Sequence, residues 1–153
     1  MKLNYLVFST ITLTVAYIGK LLTANNMAWY KTLTLPAITP PSWLFGVVWP
    51  ILYILTTIAA LLVWNRHKHD KRFVMIMTLF ALNAGLNLAW TYLFFKNHLI
   101  TEALLDAIAL EVTIVSLIAL LWTNMRTAAL LLVPYAVWTL FAIVLNYQIW
   151  QLN

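Results

Sequence analysis

The chain has 153 residues, of which 64% are hydrophobic and 8% charged, and its net charge is +5. A soluble domain carries about 25% charged residues, so most of this surface cannot face water, and the length allows one domain. The absence of cysteine excludes disulfides, thiolate catalysis and cysteine metal sites, and no run of bases interleaved with aromatics points to nucleic acid.

A membrane-crossing helix needs about 20 mostly apolar residues. Five stretches qualify, at residues 3–22, 43–64, 73–95, 103–122 and 127–150. In hydrocarbon every backbone amide must be bonded within its own segment, so these are helices rather than open strands. The expected fold is an all-α membrane protein, a five-transmembrane-helix bundle forming a single domain over residues 1–153.

The first span follows Met1-Lys2. Its apolar run exceeds the roughly 7–15 residues of a signal-peptide core and ends without a clean cleavage site, so it reads as a retained helix. The connection at 23–42 is the one long loop. Pro36, Pro40 and Pro41 prevent a continuous helix there, while Trp29, Tyr30, Leu33, Leu35 and Ile38 make it apolar. Such a segment is expected to be ordered and to pack against other parts of the protein.

The second span carries Phe45, Trp49 and Tyr53 four residues apart, on one face. Pro50 frees the carbonyl of Gly46, which is either a tolerated bend or an opening between helices. In the third span Asn83, Asn87, Trp90 and Phe94 form one stripe, with Ala81, Gly85 and Ala89 about 200° away at about 100° per residue. Small residues at every fourth position allow close helix contact, read either as homodimerisation or as packing within one bundle. The fourth span holds Asp106 and Glu111, about 140° apart and so no dyad. Glu102 and Asp106 lie near its amino end, where the helix dipole favours negative charge, and Thr101 is placed to cap that end. The fifth span aligns Tyr135, Trp138, Ala142 and Asn146, and Pro134 within it frees the carbonyl of Leu130.

Bases set the orientation. Lys2, Arg66, Lys68, Lys71, Arg72 and Arg126 fall on one side, and Lys20, Lys31 and Lys96 on the other. The positive-inside rule puts the amino terminus in the cytoplasm and the long loop outside a cell membrane crossed several times. Trp43, Trp64, Trp122 and Trp150 sit at span ends and suit interfacial belts. Trp49, Trp90 and Trp138 lie deeper, and with the asparagines they read either as a ligand cavity or as structural packing. His67, His69 and His98 lie in loops, so neither a zinc site nor a buried triad is expected, and no phosphate or dinucleotide fingerprint occurs.

One run is more specific: Trp29-Tyr30-x-x-Leu33-x-x-Pro36-x-x-x-Pro40-Pro41-x-Trp43-x-x-Gly46-x-Val48-Trp49-x-x-Leu52-Tyr53. With Leu86-Asn87-x-x-Trp90-x-x-x-Phe94-Phe95, Asp106, and Pro134-Tyr135-x-x-Trp138-x-x-x-Ala142-x-x-Leu145-Asn146-Tyr147-x-x-Trp150, it resembles the translocator protein family, also called tryptophan-rich sensory proteins or peripheral benzodiazepine receptors. The resemblance covers nearly the whole chain. It implies a usually dimeric five-helix bundle whose pocket is closed by the loop between the first two helices. It also implies binding of porphyrins, related tetrapyrroles and benzodiazepine-site ligands, and, for several bacterial members, light-dependent oxidative breakdown of protoporphyrin. Matched by motif, the pocket residues are Tyr30, Trp49, Asn87, Trp138, Ala142 and Asn146. The stripes add Tyr53, Asn83, Trp90 and Tyr135. Animal members bind cholesterol, but Leu145-x-Tyr147 here is followed by no lysine or arginine, which departs from that recognition pattern.

The expectation is therefore a membrane tetrapyrrole-binding protein with protoporphyrin IX or a relative as ligand and substrate, and no tightly bound cofactor. Trp49 and Trp138 are the candidate catalytic residues, exchanging electrons with the excited ring. The alternatives are a transporter or channel for porphyrins or small apolar molecules, and a ligand-responsive sensor or scaffold. Few intramembrane charges argue against an ion-coupled pump.

Overall fold

Each apolar stretch forms a helix long and apolar enough to cross a bilayer in the computed structural model, which describes residues 3–66 and 71–153. The long helices are α1 (Leu3–Asn25), α3 (Ser42–Arg66), α4 (Phe73–Thr91), α5 (Ile100–Trp122) and α6 (Arg126–Leu152). A single-turn helix, α2 (Met27–Tyr30), lies in the first connection, and a π turn (Tyr92–Lys96) prolongs α4, so the third span runs Phe73–Lys96. No strand occurs among the described residues. This is a multi-pass membrane protein built as an all-α five-helix bundle. Lys2 and Lys68, used above for orientation, and His67 and His69 lie outside the described residues.

The bundle turns its apolar side chains outward: Leu13 is 69%, Val74 73% and Val137 64% exposed. Lipid is the solvent that makes such a surface stable. Around the ring α1 touches α3, α3 touches α6, α6 touches α5, α5 touches α4, and α4 returns to α1. Small residues decide the tightest part. Ala128 and Ala129 of α6 are fully buried among Leu117 and Leu121 of α5. Without methyl branches at these positions the two backbones can approach closely, which is how helices gain contact energy in lipid. α1 differs, because Val15 is its one buried residue.

Two local features depart from simple helix. Pro50 and Pro134 lie within continuous helices, and both face outward. The end of the third span widens: Asn97 N bonds Tyr92 O at 3.0 Å and Leu99 N bonds Leu93 O at 2.9 Å. His98 then takes a left-handed backbone with φ 60°, an uncommon conformation for a residue with a Cβ. This reversal starts α5 at Ile100, with Leu99 in the capping position and no side-chain cap. Thr101 therefore lies inside the first turn and does not cap the helix. Glu102 stays in that turn, where the dipole favours it.

Candidate functional site

The inner faces of four helices meet in a set of side-chain hydrogen bonds. Tyr53 of α3 donates its phenol to Asn87 Oδ1 at 2.8 Å, and Asn87 Nδ2 donates to the Tyr135 oxygen of α6 at 3.1 Å. One turn back on α4, Asn83 Nδ2 donates to Thr113 Oγ1 of α5 at 2.9 Å, and that hydroxyl donates to the Leu110 carbonyl at 2.7 Å. Asn83, Asn87 and Tyr135 are each at most 5% exposed. An amide so deep in hydrocarbon is stable only when bonded, since an unmade buried bond costs about 1–3 kcal/mol. The network therefore fixes which faces of α3, α4, α5 and α6 point inward.

A cleft of about 640 Å³ opens on one side of this network, between α1, α3 and α4. Tyr53, Asn83, Asn87 and Tyr135 form its inner end. Phe8 and Thr12 from α1, Thr56, Thr57 and Trp64 from α3, and Phe80 from α4 form its walls. Its lining residues Leu3, Val7, Ile11 and Ala81 are themselves exposed, so it opens on the lateral surface of the bundle. Among the described residues no Asp, Glu, Lys, Arg or His lines it. Thr56 Oγ1 is buried there without a hydrogen-bond partner among the described residues.

On the other side of the network the interior is aromatic. The π turn brings both Phe94 and Phe95 inward, though they are adjacent in sequence. Trp90 stacks on Phe94 with ring centroids 5.3 Å apart and planes at 10°. The loop packs onto this cluster. Trp29 meets Phe94 edge-on at 5.4 Å, Tyr30 lies 5.7 Å from Phe95, and Trp29 stacks on His98 at 4.0 Å. Burial pushes the Tyr30 phenol above its ordinary pKa of 10.0. Asn153 clamps the same loop, accepting from Thr34 N at 2.9 Å and donating to Thr34 O at 3.1 Å.

The ten candidate ligand residues thus fall into two groups. Tyr53, Asn83, Asn87 and Tyr135 line the cleft. Tyr30, Trp49, Trp90, Trp138, Ala142 and Asn146 do not border it. Trp49 sits directly behind it, 5.7 Å from the Tyr53 ring and 6.2 Å from that of Tyr135. Trp90 Nε1 donates to Asn146 Oδ1 at 3.1 Å, and Asn146 Nδ2 donates to the Ile100 carbonyl at 3.1 Å. Trp138 lies against Phe45 at 5.7 Å and Phe141 at 5.5 Å, with its indole nitrogen buried and unpartnered among the described residues. Ala142 is half-buried one turn further along α6. On the small-residue face, Ala81 and Gly85 are exposed and Ala89 is half-buried, and a methyl group added at Gly85 would meet nothing within 4 Å. Asp106 Oδ2 and Glu111 Oε2 are buried without a partner among the described residues. The α1 wall was not singled out from sequence. Its signal was the hydroxyl of Thr12, in a mostly apolar span, which meets Thr57 of α3.

The sequence pattern described as the TspO/MBR family matches residues 8–151. The chain is similar to the Tryptophan-rich protein TspO of Archaeoglobus fulgidus, 36% identical over 92% of this chain and 91% of that protein. It is 33% identical to Protein CrtK of Rhodobacter capsulatus, over 82% of this chain and 79% of that one. It is also 34% identical to the Translocator protein of Bos taurus, over 84% and 77%.

Proposed function

The chain belongs to the TspO/MBR family, and from that premise we propose that it is a membrane receptor for tetrapyrroles of the protoporphyrin type, which it holds in the cleft and helps to degrade in light. The observation that carries the reading is the cleft itself, about 640 Å³ of mostly apolar space ending on Tyr53, Asn87 and Tyr135. Small-molecule sites span about 300–1,000 Å³ and pair apolar walls with a few polar groups that fix orientation. A flat macrocycle suits walls built from rings, and the phenol and amide groups supply donors and acceptors for its nitrogens.

The macrocycle absorbs the light and passes its excitation to dioxygen dissolved in the bilayer, which is the oxidant that attacks the ring, so the oxidative chemistry is the ligand's and the chain supplies position and exclusion. Trp49 reaches the guest through the rings of Tyr53 and Tyr135, which touch both. That path gives an electron a short route from indole to the light-excited macrocycle, which passes it on to dioxygen as superoxide. Trp138 is a second donor in the adjoining aromatic group. Benzodiazepine-site ligands, apolar and aromatic, compete for the same space. With the amino terminus cytoplasmic, the cleft opens to the inner leaflet. The open face of Ala81, Gly85 and Ala89 receives a second copy of the chain.

Titration of the purified protein with protoporphyrin IX, in light and in darkness, tests the reading. Tryptophan fluorescence should be quenched in both conditions, and porphyrin absorbance should decay in light alone. Asn87→Leu should weaken binding about tenfold, which corresponds to about 1.4 kcal/mol. Trp49→Phe with Trp138→Phe should bind but degrade slowly. Failure of the parent protein to bind porphyrin would sink the proposal, and porphyrin flux into proteoliposomes in darkness would mark a transporter instead.

A further inference from the structure

α1 supplies a whole wall of the cleft yet is the least embedded of the five long helices, with one buried residue, Val15, where α6 has eight. Lipid satisfies its apolar face as well as protein does, so no hydrophobic force presses it onto the bundle. Its hold on α3 includes a short series of contacts along the cleft. Asn4 Nδ2 donates to Asn65 Oδ1 at 2.8 Å, Asn65 Nδ2 donates to the Tyr5 hydroxyl at 3.2 Å, and the Thr12 and Thr57 hydroxyls share a hydrogen bond. Phe8 meets Trp64 edge-on at 5.5 Å. The loop at the opposite end is held by the Trp29–His98 stack and by Asn153 occupying both backbone groups of Thr34.

We propose that α1 is a movable wall and that the cleft loads sideways from the bilayer when the Asn4–Asn65 and Thr12–Thr57 bonds open. The inference rests on the reading of the cleft as the ligand site. It limits guests to amphiphiles that dissolve in lipid and lead with an uncharged apolar edge, because the described lining residues include no ionisable acid or base other than tyrosine. Carboxylates on the guest stay at the mouth, toward the end where α3 finishes in Arg66.

The chain has no cysteine, so Thr12→Cys with Thr57→Cys creates a single thiol pair where two hydroxyls now touch. The variant is placed in liposomes with protoporphyrin IX dissolved in the bilayer, and its reduced form serves as reference. Oxidation before loading should slow loading at least tenfold. Oxidation after loading should trap the guest and slow its release at least tenfold. Equal loading rates before and after oxidation overturn the proposal, as does ejection of a bound guest on oxidation, which would mean the cross-link spoils the site. His98→Asn removes the stack on Trp29 while tolerating the left-handed backbone. It should leave loading unchanged, and faster loading would put the door at the loop.

A ligand-free measurement separates this idea from the tetrapyrrole reading. Spin labels at Leu13→Cys with Ile54→Cys report the α1–α3 separation, and labels at Val112→Cys with Val137→Cys report α5–α6. The first distance distribution should be at least twice as wide as the second. Equal widths overturn the movable wall whatever binds. A wide first distribution in a protein that binds no porphyrin refutes the tetrapyrrole reading and leaves the wall standing.

Discussion

The first and third spans are equally hydropathic, yet they are embedded very differently. α1 buries Val15 alone, whereas the third span buries Ile76, Phe80, Asn83, Asn87 and Thr91 and then Phe94 and Phe95. Apolarity takes both helices into the membrane, because transfer into hydrocarbon asks only for a satisfied backbone and greasy side chains. It does not say how far each enters the bundle. The third span is drawn inward by two amides that must find partners and by rings that interlock with the loop. α1 carries Thr12 and Asn4 as its corresponding polar groups, both near the rim of the cleft.

Substitutions on the two spans should therefore separate widely, with thermal unfolding in detergent as the measurement. Phe94→Ala should have the largest effect, about 3–5 kcal/mol, because a buried aromatic leaves a cavity under Trp29, Tyr30 and Trp90. Asn87→Leu should cost about 1–3 kcal/mol by leaving the Tyr53 phenol without its acceptor and Tyr135 without that donor. On α1's side, Asn65→Ala breaks two interhelical bonds at about 0.6 kcal/mol each. Leu13→Ala, on the lipid face of α1, should stay within about 0.5 kcal/mol. A loss at Leu13 as large as that at Asn87 would erase the contrast.

The smallest effect is expected from pH at the loop. Burial favours the neutral Tyr30 phenol in the folded protein, so its folded-state pKa lies above 10.0. The stabilising contribution is complete below pH 10.0 and is lost as pH rises through the raised value. Tryptophan fluorescence near the loop should hold steady to pH 10 and change only above it. A change between pH 7 and pH 9 would show that Tyr30 is not packed as described.

Much of the inner site was legible from spacing. Asn83 and Asn87 lie four apart on one helix and must be bonded in hydrocarbon, so their stripe had to face inward. Tyr53 and Tyr135 sat on stripes of their own, and the structure joins them through Asn87. The division into cleft and aromatic half was not legible. The cleft is lined from α1, α3, α4 and Tyr135, while the π turn buries both Phe94 and Phe95 in the aromatic half, and spacing along single helices shows neither. Thr101 was misplaced because the reversal at His98 starts α5 earlier.

By itself the sequence determined that five helices cross a bilayer, which faces of the third, second and fifth spans carry polar and aromatic groups, and that no cysteine is present. Composition and periodicity are enough for that, because insertion and helix faces are local properties. Tertiary structure alone decided that α1 stands apart, that Thr12 meets Thr57 across 45 positions and that Asn153 clamps Thr34 across 119. Those pairings depend on how closely helices approach, and in lipid that is set by shape and a few hydrogen bonds rather than by apolarity, which all five spans share.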